Sequence, residues 1–129
     1  MRTTDFPEYA REIIAVLNAV IAASQTGLTS FQVDQRSMLR GLITGRLLFE
    51  DDSELHFREF VDMTLAEPRV MYAYHYQDVH GALIFRYDNA IHHPPPSQAE
   101  HKHTPIGITV TEAPPLAYII DKILENLRS

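Results

Sequence analysis

The chain contains no cysteine. This absence excludes disulfide frameworks, zinc sites built on thiolates and cysteine nucleophiles. A chain without cysteine suits a reducing compartment, so we expect the protein in the cytoplasm.

An excess of positive charge is also missing, because 11 Lys and Arg stand against 17 Asp and Glu, a formal net charge of −6. A surface of this sign repels phosphate, so nucleic acid could bind only at a local basic patch. The apolar stretch 13–23 is too short to span a bilayer, and acidic residues precede it where a signal peptide carries positive charge. We therefore expect no membrane contact.

What is present is the composition of an ordinary globular protein, with 45% hydrophobic and 22% charged residues over 129 positions. A chain of this length can bury an adequate core. We expect one domain over residues 1–129.

Two amphipathic segments near the ends of the chain predict helices. Asp5 can cap the first helix, Pro7 lies in its first turn and Gly27 ends it. Pro114 and Pro115 open the second helix. Apolar side chains recur at helical spacing in both segments, at Tyr9, Ile13, Val16, Leu17, Val20 and Ile21 and at Leu116, Ile119, Ile120, Ile123, Leu124 and Leu127.

The region between the helices has the alternation typical of strands. The predicted strands are the alternation at Phe31 and Val33, the run 38–49, the runs near 55–61, 70–76 and 83–87, and a short edge strand at Ile106, Ile108 and Val110. Gly41 and Gly45 interrupt the longest run and indicate bulges or close approaches. The predicted fold class is α+β, a two-layer domain with a five- or six-stranded, mostly antiparallel sheet and N-terminal and C-terminal helices.

The fourth strand predicts which side chains face the helices. Tyr72, Tyr74 and Tyr76 share one face, and we expect them in the core, in preference to a platform that stacks on bases. If the shortest hairpin follows, His75 and Arg86 share the opposite face. The acidic residues Asp51, Asp52, Glu54 and Glu59 are interpreted as a solvated rim.

Histidine is concentrated in the second half of the chain, where six of the seven lie between His75 and His103. Histidine titrates near neutral pH and ligates metals, so this concentration predicts a functional site. The proline-rich stretch 89–107 contains four of these histidines and is predicted to be a long loop.

Arg86 and Asp88 lie two residues apart at the end of the fifth strand, so they project from the same face. Arg86 could hold a phosphate or carboxylate while Asp88 orients a histidine or binds a cation. The alternative is an ion pair at a strand end, followed by a turn at Asn89.

Metal binding is one interpretation of the histidines. His92 or His93 together with His101 or His103 could ligate zinc or another divalent cation, with Asp88 or Glu100 as an oxygen ligand. The spacing matches no standard motif, and a solvated histidine-rich loop would look the same.

Metal-free acid and base catalysis is the interpretation we favour, so we expect no cofactor. One imidazole would deprotonate a ribose hydroxyl and another would protonate the leaving oxygen, while Arg86 and Lys102 stabilise the charge on phosphorus. Asn89 and His75 are further candidates for substrate binding.

At this point the chain resembles the TumE family, the small toxins of type II toxin–antitoxin modules. The resemblance rests on residues 46–55 (RLLFEDDSEL), 59–62 (EFVD), 72–78 (YAYHYQD) and 83–90 (LIFRYDNA), followed by His92, His93, His101, Lys102 and His103. Two positions depart from the family pattern: Ile91 stands where a proline is expected and Glu100 where a further histidine is expected. The second departure removes one candidate metal ligand.

The resemblance implies a toxin that is neutralised by a cognate antitoxin protein. Combined with the residue analysis, it predicts growth inhibition through RNA, with ribonuclease activity as the leading hypothesis. Arg86, Asp88, His92, His93, His101 and His103 are the predicted catalytic residues, and Lys102, Asn89 and His75 the predicted substrate-binding residues. A transferase that modifies RNA or protein, and a non-enzymatic or metal-binding interaction protein, are the alternatives; a homodimer is also expected, because a long apolar strand at a sheet edge pairs readily.

Overall fold

The computed structural model describes residues 5–89 and 100–128, and the predicted site residues His92 and His93 lie outside these ranges. The described elements run in the order α1 (Phe6–Ala23), β1 (Gly27–Gln35), β2 (Arg40–Leu48), β3 (Glu54–Asp62), β4 (Arg69–Gln77), β5 (Leu83–Asp88), β6 (His101–Thr104), β7 (Gly107–Val110) and α2 (Leu116–Arg128). The strands form one antiparallel sheet in which each strand pairs with the next along the chain. The predicted α+β class is confirmed.

Helix α1 begins where its capping residue predicts. The Asp5 side chain accepts a hydrogen bond of 2.9 Å from the Glu8 backbone N–H, which satisfies one of the free donors of the first turn. The helix ends earlier than predicted, since Ser24 Oγ donates to the Val20 carbonyl at 2.7 Å and Gly27 already belongs to β1.

Both helices contribute to a single core on one face of the sheet. Helix α1 contributes Phe6, Ala10, Ile13, Leu17 and Val20, and helix α2 contributes Leu116, Ile119, Ile120 and Ile123. Tyr72, Tyr74 and Tyr76 are buried in this core, as predicted. We call this side of the sheet the covered face.

Gly41 and Gly45 mark close approaches on the covered face. A Cβ atom at Gly41 would lie 2.2 Å from the Phe6 ring, and one at Gly45 would lie 2.5 Å from the Phe57 ring. Glycine is therefore what lets these two aromatic rings approach β2 so closely. The irregularities of register lie elsewhere, at 28–30, 60–61 and 76–77.

The sheet has seven strands, so the prediction of five or six was wrong. The strand that was missed, β6, lies within the stretch predicted to be a loop. Its four residues show no apolar alternation, and it becomes a strand because it pairs with β5 on one side and β7 on the other. Pro105 lies in the turn between β6 and β7, where no ladder hydrogen bond is needed.

The long strand β2 lies inside the sheet, between β1 and β3. A long apolar strand exposed at a sheet edge was the ground for expecting a homodimer, but β2 does not lie at an edge. The edges of the described sheet are β1 and β7. Neither described helix is long and apolar enough to cross a membrane.

Candidate functional site

The second face of the sheet carries most of the polar side chains that could do chemistry. Within residues 5–89 and 100–128 both helices lie on the covered face, and we call this other side the open face. Its central concavity has a volume of about 930 Å³. The arginines and histidines that line it are Arg46, His56, Arg58, His75 and Arg86.

Five of the open-face residues form a single row across five strands. Each is the direct register partner of the next: Arg46 (β2), His56 (β3), His75 (β4), Arg86 (β5) and His103 (β6). Directly paired residues in antiparallel strands point to the same face. With about 4.8 Å between neighbouring strands, this cross-strand row extends over roughly 19 Å.

His75 lies at the centre of the row. Its ring centroid is 6.0 Å from that of His56, and its Nδ1 is 3.4 Å from Arg86 Nη1. Its Nε2 is 3.1 Å from Gln77 Oε1. Partial burial lowers the pKa of His75 below its usual value, and the nearby Arg86 and His56 add to this while the Gln77 contact opposes it. These surroundings therefore favour the uncharged form of His75, which is the form able to accept a proton.

The pair predicted from the end of the fifth strand is confirmed as an ion pair. Arg86 Nε donates to Asp88 Oδ2 at 3.0 Å. The same carboxylate oxygen is 3.4 Å from His103 Nε2. Asp88 also pairs in register with His101, so both β6 histidines and Asp88 meet at one end of the cross-strand row.

Lys102 and Asn89 lie apart from this cluster. Lys102 lies between His101 and His103 in β6, so its side chain is on the covered face. Its Nζ lies 5.7 Å from the Phe85 ring centroid and 5.2 Å from the Tyr87 ring centroid. The Asn89 amide accepts from the Tyr72 N–H and donates to the Val70 carbonyl, which fastens the end of β5 to β4. The Glu100 carboxylate, another candidate, accepts from the Tyr72 hydroxyl at 2.7 Å.

Three residues of the open face were not among the predicted site residues: Arg46, His56 and Arg58. Strand alternation alone carries no information on which strands become neighbours, so the sequence does not place these residues beside His75. Only the register of the paired strands reveals that they are close to His75, because His56 is opposite His75 and Arg46 is opposite His56.

Glu59 corrects the interpretation of the acidic residues as a solvated rim. Its side chain is 2% exposed, and it accepts hydrogen bonds from the Tyr9 and Tyr74 hydroxyls. Glu59 follows Leu55 and Phe57 in the period-two alternation of β3, which places it on the covered face. Burial, together with the Glu59 carboxylate, raises the pKa of Tyr9 and of Tyr74 above the usual tyrosine value, so both remain protonated donors.

Arg69 completes this buried polar network on the covered face. It donates to the Tyr74 hydroxyl and to the carbonyls of Ala113 and Pro114 at 2.8 to 3.1 Å. The network joins α1, the sheet and the segment leading into α2. We interpret it as structural, because its polar groups are directed at one another.

Comparison with known proteins identifies a family. The family model described as Toxin TumE matches residues 7–129, nearly the whole chain. No curated protein and no solved structure matches the chain.

Proposed function

The chain belongs to the TumE toxin family, and from this premise we propose that it stops growth by cleaving RNA on the open face. A toxin of this class has a cognate antitoxin as its partner. Because its substrate would be cellular RNA, we place its action in the cytoplasm.

The cross-strand row is the observation that carries this proposal. Arg46 and Arg86 flank the imidazoles of His56 and His75 on the open face. A guanidinium binds phosphate oxygens in a planar, two-pronged geometry. A phosphodiester held by Arg86 therefore lies beside the two groups that can exchange protons with it.

The reaction we propose is an intramolecular transesterification, in which the neighbouring 2′-hydroxyl of the ribose attacks the phosphorus of the phosphodiester. His75 accepts the proton of the 2′-hydroxyl, whose oxygen attacks phosphorus and forms the 2′,3′-cyclic phosphate. The bond from phosphorus to the 5′-oxygen breaks, and the leaving oxygen takes a proton from a second imidazole. We assign that role to His56, whose Nε2 lies 3.7 Å from Glu54 Oε1.

The guanidinium of Arg86 stabilises the negative charge that develops on the phosphoryl oxygens. Asp88 holds this guanidinium in place through its Nε. The histidines predicted to be catalytic from the sequence, His92, His93, His101 and His103, could fill the same acid and base roles in a second version of this reaction, and His92 and His93 lie outside the described residues.

The test is induced expression in a bacterium of the native chain, His75→Ala, Arg86→Ala and a control, His80→Ala. His80 is an exposed residue at the hairpin between β4 and β5, so its variant should behave like the native protein. We expect growth arrest and RNA fragments ending in a 2′,3′-cyclic phosphate only with the native chain and the control. Circular dichroism of each purified variant verifies the fold.

Other outcomes decide between the remaining functions. Arrest with intact but chemically modified RNA or protein would replace cleavage by group transfer. Arrest with intact, unmodified RNA that persists in His75→Ala would indicate a toxin that acts by occupying its target. A homodimer stays a prediction, which sedimentation of the purified protein tests independently.

A further inference from the structure

We propose that Asp88, His101 and His103 form a binding site for one divalent first-row transition metal ion, with zinc as the ion to test. One ligand atom from each of the three residues lies within 4.8 Å of those from the other two. In a tetrahedral site with ligand bonds of about 2.0–2.2 Å the ligand atoms lie about 3.4 Å apart, so the three side chains need to close by no more than about 1.4 Å to hold one ion. The proposal goes beyond RNA cleavage, because it does not depend on what the toxin acts on.

The sheet holds the three ligands in place before any ion arrives. Asp88 is the direct register partner of His101, and His103 lies two residues further along β6 on the same face. Asp88 and His101 are 5% and 8% exposed, so their side chains have little freedom to swing away. Sites on paired strands are held more exactly than sites on loops.

The two carboxylate oxygens of Asp88 have different surroundings. Oδ2 accepts from Arg86 Nε at 3.0 Å. Oδ1 is buried and accepts no hydrogen bond from the part of the chain that the structure describes, and His103 Nε2 is likewise buried without a hydrogen bond there. A cation bound at Oδ1 and His103 Nε2 would satisfy both atoms and leave the ion pair with Arg86 intact.

The donor set selects the class of ion. Two imidazole nitrogens and one carboxylate oxygen suit zinc, cobalt, nickel or ferrous iron, whereas calcium and magnesium prefer sites made of oxygen alone. Three protein ligands leave at least one coordination position for water or for an oxygen of a bound molecule. Arg86 then connects the cation site to His75 in the cross-strand row through Asp88.

The experiment uses the purified full chain after treatment with a chelator, titrated with cobalt(II) and then with zinc. We expect one ion per chain, a visible cobalt spectrum that zinc abolishes, and a rise in melting temperature on adding zinc. Asp88→Asn and His103→Ala should each weaken binding by at least about tenfold. His80→Ala should bind as the native chain does.

Two further variants separate this proposal from the others. His75→Ala should lose toxicity and keep the cobalt spectrum, so failure of RNA cleavage and failure of metal binding give different results. Absence of both the spectrum and the melting shift would overturn the site, and so would equal binding by His103→Ala. Loss of binding in the His92→Ala, His93→Ala double variant, with His103→Ala unaffected, would show that the ion is held elsewhere and overturn it as well.

Discussion

Burial of a single imidazole makes the stability of the protein depend on pH. The pKa of His75 is lowered in the folded state, so the unfolded chain binds this proton more readily. The groups around it are His56, Glu54 and Arg58 on β3, Arg86 and Asp88 on β5, and Gln77 on its own strand. As pH falls below the unfolded value of about 6.5 and through the lower folded pKa, the contribution of His75 to stability is lost.

We therefore predict that His75→Gln is less sensitive to mild acid than the native chain. The melting temperature of the native protein should fall more between about pH 7 and about pH 5 than that of the variant. Thermal denaturation followed by circular dichroism measures the difference, with His80→Gln as the exposed control. Parallel decreases in all three proteins would contradict the lowered pKa.

Glu59 is a residue whose loss should lower the free energy of unfolding. Glu59→Ala removes the acceptor of the buried Tyr74 hydroxyl and of the half-buried Tyr9 hydroxyl. Each hydroxyl that loses its acceptor costs about 1–3 kcal/mol, so for the two together we expect a loss of roughly 2–6 kcal/mol in the free energy of unfolding. Urea denaturation measures it.

The matched control for this change is Glu50→Ala, at an exposed position before β3. Its effect should stay within about 0.5 kcal/mol. If the two variants unfolded at the same urea concentration, the hydrogen bonds of Glu59 would contribute nothing to stability.

At the scale of the element, the position of α1 depends on a missing side chain in β2. Gly41→Ala puts a methyl group 2.2 Å from the Phe6 ring, so the ring or the first turn of α1 that carries it must shift. Overpacking of this kind costs about 1–3 kcal/mol. Gly27→Ala, where no atom lies within 4 Å of the added methyl group, should leave the urea midpoint nearly unchanged. Equal midpoints for both variants would refute the contact.

The features that could be predicted from the sequence are those that depend only on residues close to one another along the chain. The start of α1 follows from Asp5 and Pro7, and the apolar stripe of α2 follows from helical spacing. The face shared by His75 and Arg86 follows from alternation and a short hairpin. Each of these needs only neighbours close along the chain.

Features that depend on pairing between distant segments were not predictable in the same way. Strand β6 carries no apolar alternation, so nothing in its four residues separates it from a loop. The convergence of Arg46 and His56 with His75 requires the order of the strands and their register, and a shift of one residue would reverse the faces. The separation of Lys102 from His101 and His103 onto opposite faces of the sheet likewise depends on the pairing of β6 with β5.

For the whole molecule, the main feature is a positive site on a negative protein. The chain has a formal net charge of −6, while the open face brings together Arg46, Arg58 and Arg86. Few phosphates can be neutralised by three arginines, so the affinity for RNA should depend only moderately on salt.

We predict a slope of log affinity against log salt of about −2 for a short single-stranded RNA, from three neutralised phosphates at about 0.7 each. Arg58→Ala should reduce the slope by about 0.7. The slope is measured by fluorescence anisotropy at several salt concentrations. Both proteins carry His75→Ala in this measurement, so that the RNA is not cleaved. A slope near zero would show that the arginines do not bind phosphate groups of the RNA. A far steeper slope would require a larger basic surface.

The order of the cross-strand row along the chain has a consequence for the cell that makes the toxin. Arg46 is synthesised early, but His101 and His103 follow more than fifty residues later, and they reach the open face only when β6 pairs with β5. A ribosome produces the N-terminal part first, so a partly made chain lacks one end of the row. A complete row therefore exists only after His103 has been translated and β6 has paired with β5, and a translation product that stops before β6 carries an unfinished row.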